Sequence, residues 1–144
     1  MLHVPLFDIN QIKNIDQLYA HTKKDSTEKE LLADHLHKTL EYFQLLYKEK
    51  KLASVFDKLA ARFFKDDEEA IELWKELAVN AIYLHDIGKI NGNFQKFKMQ
   101  NEQAFHVKNS PNSNHSMLSA VIYYNHYFEK IQNNPSEQSN RYML

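Results

Sequence analysis

The sequence predicts an all-α domain of about five helices. One observation is composition: two glycines and three prolines in 144 residues, with abundant Leu, Ala, Lys and Glu, all strong helix formers. The other is periodicity. Apolar residues recur at three- and four-residue spacing, and no segment alternates with the period of two that marks a half-buried strand.

After an irregular start, "STEKELLADHLHKTLEYFQLLYKEKK" opens with a capping box, Thr27 followed by Glu30. Leu32, Leu36, Leu40, Phe43 and Leu46 then follow at helical spacing. A second helix is expected from Leu52 to Phe64. A third begins at "DDEEAIELW", where Asp66 and Glu69 form another capping pattern and the acidic side chains suit the positive helix start. It runs to His85, with Gly88 expected as a left-handed stop. "NGNFQKFKM" reads as a turn and short helix, and "QNEQAFHVKNSPNSN" as a loop. A last helix runs through "HSMLSAVIYYNHYFEKIQNN" and stops before Pro135. We expect one domain over 1–144, with 135–144 as a frayed tail.

Composition narrows the function. Neither GxxxxGK[ST] nor GxGxxG occurs, so a nucleotide-powered motor is not expected. There are no cysteines, which excludes disulfides and Cys-based zinc sites and makes the cytoplasm the default compartment. No apolar run approaches the roughly 18 residues of a membrane span, and the N-terminus lacks the pattern of a secretory signal. The formal net charge of −1 argues against polyanion binding by the whole surface. Locally, Lys89, Lys96, Lys98 and Lys108 face only Glu102.

The eight histidines are the informative feature. On the first helix His35 shares a stripe with Leu32, Leu36, Thr39, Leu40 and Phe43, whereas His37 points away toward solvent. On the third, Ile71, Trp74, Ala78, Ala81, Ile82 and His85 define an inward stripe, with Asp86 at its edge. On the last, His115 aligns with Leu118, Ser119 and Ile122. Any one of these histidines alone reads as a satisfied core residue. Three with an aspartate, from three helices, read as a site, because burying such groups is costly unless they pair or bind a metal. Imidazole and carboxylate donors suit Mn, Fe, Co, Ni or Zn, and a carboxylate such as Asp86 can bridge two ions.

The segments "LADHLHKT", "AIYLHDIGKINGNFQKF" and "NHSMLSA" resemble the HD superfamily of metal-dependent phosphohydrolases. More narrowly, they resemble the HD nuclease domain of type I CRISPR interference systems, over roughly residues 19 to 125 by motif spacing. The resemblance implies an HD-domain helical bundle that hydrolyses phosphodiester bonds of DNA, mainly single-stranded, in antiviral defence. It implies one or two divalent ions (Mn, Ni, Co, Fe or Mg). The implied partners are a helicase, fused or separate, and the CRISPR RNA-guided surveillance complex. By position, His35 matches the first ligand, His85 and Asp86 the HD pair, Lys89 the motif lysine, and His115 a ligand of a second ion. The family pattern goes on to a His-His element and a late aspartate, neither of which occurs before Leu144. We therefore expect a fragment or shortened form whose two-metal site is incomplete.

Two other classes stay open: an HD phosphohydrolase acting on a small nucleotide in a closed, base-selective pocket, and a non-catalytic metal-binding or partner-docking module. A nuclease should instead show an open, lysine-lined groove. Lys89 is either a charge for the scissile phosphate or a complement to a helix dipole. Phe94, Gln95 and Phe97 either line a groove or pack. Tyr123, Tyr124 and Tyr127 are expected to pack, and His21 to be a surface residue with some chance of reaching the site. His3, His106 and His126 are left outside it.

Overall fold

In the computed structural model, which describes residues 2–22, 26–101 and 114–134, helices dominate. They are α1 Leu32–Glu49, α2 Ala53–Phe64, α3 Glu68–Tyr83 and α4 His115–Gln132. Short 3-10 turns occupy Ile9–Gln11, Ile15–Gln17 and Ile87–Ile90, and a single π-helical turn spans Phe94–Lys98. The all-α class holds, with one local exception. Tyr19–Thr22 (β1) and Lys29–Leu31 (β2) pair antiparallel, with an irregularity between Tyr19 and His21. These strands are too short to alternate visibly, and their pairing is a tertiary fact.

β2 removes the expected capping box. Glu30 lies in the strand opposite His21 rather than in a helical turn, and α1 starts after Leu31 with no side-chain cap. At α3 the cap is Asp67, not Asp66: its carboxylate accepts the Ala70 N–H at 3.0 Å. The loop expected over 102–113, with His106, and the tail over 135–144 lie outside the described residues.

Three apolar seams assemble the bundle. One gathers Ile9, Ile15, Leu18 and Ala20 from the N-terminal segment with Leu32, Leu36, Tyr83, Leu84 and Ile87. Another joins Leu73 and Leu77 of α3 to Tyr127 and Ile131 of α4. In the third, Trp74 meets Phe56 and Phe64 of α2 at ring separations of 5.2 and 6.1 Å. Burial of these side chains drives the packing, at about 25 cal/mol per Å² of apolar surface. Asn80, wholly buried, clamps the N-terminal segment onto α3. Its Oδ1 accepts the Phe7 N–H at 2.8 Å, and its Nδ2 donates to the Pro5 carbonyl at 2.9 Å.

The seams rotate α3 relative to expectation. Its buried residues are Ala70, Leu73, Glu76, Leu77, Val79, Asn80 and Tyr83. Ile71, Trp74, Ala78 and Ile82 are half-buried and Ala81 is exposed. Helix α3 has apolar residues on more than one face, and contact with α1, α2 and α4 decides which is deepest. On α1, His37 is exposed as expected, though Tyr83 Oη lies 3.2 Å from its Nε2.

Candidate metal centre

Helix α3 ends at Tyr83, two residues before the His–Asp pair. The helical phase therefore does not apply to His85, and the expectation that it faces the core is wrong: its side chain is 41% exposed. Asp86, at 15%, turns inward. Asp86 also begins the Ile87–Ile90 turn, which has three residues per turn. That geometry eclipses side chains at i and i+3 and sets Lys89 Nζ 2.7 Å from Asp86 Oδ2.

Three imidazoles converge on the same carboxylate. His35 Nε2 of α1 lies 3.0 Å and His85 Nε2 3.3 Å from Oδ2, while His115 Nε2, at the start of α4, lies 3.5 Å from Oδ1. Two of the rings are held from behind. His35 Nδ1 sits 3.3 Å from Glu30 Oε2, and His85 Nδ1 sits 3.0 Å from the Ile82 carbonyl. Acceptors at Nδ1 orient both rings with Nε2 toward Asp86, the usual support of a metal-binding histidine.

His21 completes the set, although its sequence context marks it chiefly as a surface residue. The irregularity between Tyr19 and His21 brings it opposite Glu30, consistent with bulges re-aiming side chains beside functional sites. Its ring stacks edge-on at 4.7 Å from His35, and its Nε2 is 3.0 Å from Lys89 Nζ. Ligand atoms of His21, His35 and Asp86 all lie within 4.8 Å of one another. Glu30 was likewise missed as a support for His35. In the sequence, a His and a Glu flanking a segment that contains Lys, Asp and Ser are the local signal for the pair.

Electrostatics suit a cation. Burial by itself pushes the Asp86 carboxyl up, but the Lys89 hydrogen bond and charge, with His85 and His35, outweigh it and hold the group below its ordinary value. Burial, then the Lys89 charge, holds the His21 imidazole down and so favours its neutral form. The Lys38 hydrogen bond chiefly lowers Glu30. A carboxylate ringed by imidazole nitrogens, two of the rings oriented from behind, is a donor set that could hold a divalent metal ion.

Gly88 is not a left-handed stop, since its φ is not positive. It is a close approach: a Cβ there would run into the His115 carbonyl and come within 2.6 Å of Ser119 N. Phe94 is buried and meets His115 edge-on at 5.1 Å, whereas Phe97 is 47% exposed. Gln95 is fully buried. His3 is exposed, and His126, also exposed, meets Phe7 edge-on at 4.8 Å. Tyr127 and the half-buried Tyr123 pack as expected, but Tyr124 is 53% exposed. Beside His85, a cleft of about 470 Å³ runs between α3 and α4, walled by Ala81, Leu84, Ser116, Ala120, Tyr123 and Tyr124. Among the described residues its lining holds no lysine, unlike the open, lysine-lined groove expected of a nuclease.

An all-α fold with a His–Asp pair just past a helix end, facing histidines from two other helices, defines the HD-domain class. The chain belongs to the family described as Cas3, HD domain, whose model matches residues 20–142, and so to the HD domains of type I CRISPR systems. No curated protein and no solved structure matched the chain. No helix among the described residues is long and apolar enough to cross a membrane.

Proposed function

We propose that this domain is a metal-dependent nuclease of CRISPR interference that hydrolyses phosphodiester bonds in single-stranded DNA. The observation that carries the reading is the Asp86 carboxylate with His35, His85 and His115 nitrogens at 3.0–3.5 Å and Lys89 at 2.7 Å. His21, His35, His85 and Asp86 would hold the ion, with His115 reaching the other Asp86 oxygen. A divalent ion supplies Lewis-acid polarisation of a phosphodiester and an acidified water as nucleophile. Glu30 and the Ile82 carbonyl keep two imidazoles aimed. Lys89 contributes positive charge where a scissile phosphate gains negative charge. Bases flanking that phosphate would lie along the apolar α3–α4 cleft, with Tyr124 as a stacking surface. In this reading the domain works in the cytoplasm with a helicase and the RNA-guided surveillance complex, in antiviral defence.

The test is metal analysis with digestion of a single-stranded oligonucleotide in Mn²⁺, for the wild type and Asp86→Ala. We expect wild-type binding and cleavage, with both lost in the variant by at least ~10²-fold. Metal-loaded wild type that leaves DNA uncut, or an Asp86→Ala protein that cuts equally, rules the reading out. Preferential hydrolysis of mononucleotides would favour the small-nucleotide class.

A further inference from the structure

The Gln95 side chain is fully buried, and both ends of its amide are engaged. Its Nε2 donates to the Tyr19 carbonyl at 2.8 Å and to the Lys89 carbonyl at 2.7 Å. Its Oε1 accepts the Tyr19 N–H at 3.0 Å and an Asn101 Nδ2 hydrogen at 3.2 Å. Toward Tyr19 the amide thus behaves like a paired strand, donating and accepting across one residue. Its second N–H reaches the backbone of the residue whose ammonium contacts both His21 and Asp86.

One planar group therefore ties the strand that carries His21 to the turn that carries Asp86 and Lys89. β1 is only four residues long, and a two-stranded ribbon of that length holds itself weakly. The amide has a rigid plane and directional bonds. An apolar side chain of equal size would fill the space without setting the register of the two backbones.

We propose that Gln95 is a positioning residue, which sets the His21–Lys89 contact and with it the His21–His35–Asp86 donor triangle. Its consequence for metal binding rests on the metal-centre reading above; the placement of His21 does not.

The test compares wild type, Gln95→Met, His21→Ala and the double variant. Imidazole NMR signals of His21 are recorded without metal, and Mn²⁺ affinity by calorimetry. Gln95→Met should move the His21 signals and weaken Mn²⁺ binding at least tenfold. Adding His21→Ala to it should weaken binding no further, because both changes remove the same donor. General loss of packing would instead add to the His21→Ala effect. Unmoved His21 signals with wild-type affinity, or fully additive losses, overturn the proposal. If wild type fails to bind Mn²⁺, the metal reading falls and the NMR comparison alone decides the placement. If Gln95→Met does not fold, Asn101→Ala removes one bond to the Gln95 amide in its place: shifted His21 signals support the proposal, and unshifted ones overturn it.

Discussion

Gly88 donates its backbone N–H to the Ser119 hydroxyl at 2.8 Å, and Ser119 in turn donates to the His115 carbonyl at 3.1 Å. This chain of bonds seats the Asp86–Lys89 turn on the first turn of α4, which brings His115 to the carboxylate. A methyl group at Gly88 meets backbone atoms of α4, which cannot swing aside as a flexible side chain can. Gly88→Ala should destabilise the domain by about 1–3 kcal/mol, the usual cost of overpacking. Chemical denaturation measures the loss. Metal affinity should fall too, since α4 must move away with His115.

Lys89 and a bound cation would share Asp86. Replacing Lys89 by Met leaves the carboxylate without its nearest positive charge, and the metal-free protein should lose roughly 2–3 kcal/mol. Mn²⁺ should then raise the melting temperature more in the variant than in wild type, because the ion replaces the missing charge. Cleavage should nonetheless drop ~10²–10³-fold, as for loss of one transition-state donor. Equal stabilisation by Mn²⁺ in both proteins would show that lysine and ion do not compete for the same oxygen.

Tyr124 is half-exposed on the cleft and stacks on Phe128 at 5.0 Å. Tyr124→Ala should cost little stability, within about 0.5 kcal/mol. Binding of a single-stranded oligonucleotide should weaken by about 1–3 kcal/mol if a base stacks there. Fluorescence anisotropy gives the affinity, and turnover at saturating DNA should stay near wild type. Unchanged affinity would take the bases elsewhere.

Tyr123 donates to the Leu77 carbonyl at 2.8 Å. Burial, with the Glu76 charge, pushes its phenol up to about 12. A folded-state value above the unfolded one means that the folded form holds the proton more tightly. Its stabilisation is complete below the ordinary value of 10.0 and is lost as pH rises toward about 12. Burial raises Tyr127 in the same direction. Tyr123→Phe should cost about 1 kcal/mol at neutral pH and flatten the decline in stability above pH 10, read from urea unfolding across that range.

Much of the helical scaffold was legible because helices are encoded within three or four residues. The start and end of α2 and α4 follow from the spacing of apolar side chains and from Pro135. His35, Asp86 and His115 could be picked out for a related reason, being polar residues on or beside apolar stripes. The face of α3 could not be chosen this way. Apolar residues such as Ile71 and Leu73 lie on different sides of it, and the sequence does not say which neighbour arrives where. His85 was misplaced because α3 stops at Tyr83, where the rotation per residue changes.

By itself the sequence determined the helical class, the turn-spaced Asp86–Lys89 pair, and the placing of His35 and His115 on or beside apolar stripes. Those properties depend on side-chain chemistry and on neighbours a few positions away. Tertiary structure alone decided that His21 and Glu30 pair across β1 and β2, that Gln95 joins β1 to the turn, and that Gly88 must be glycine. Each of these depends on contacts between distant segments, such as Gln95 with Tyr19 and Gly88 with Ser119. Local propensity carries no information about such contacts, because packing forms them only once the apolar seams have closed.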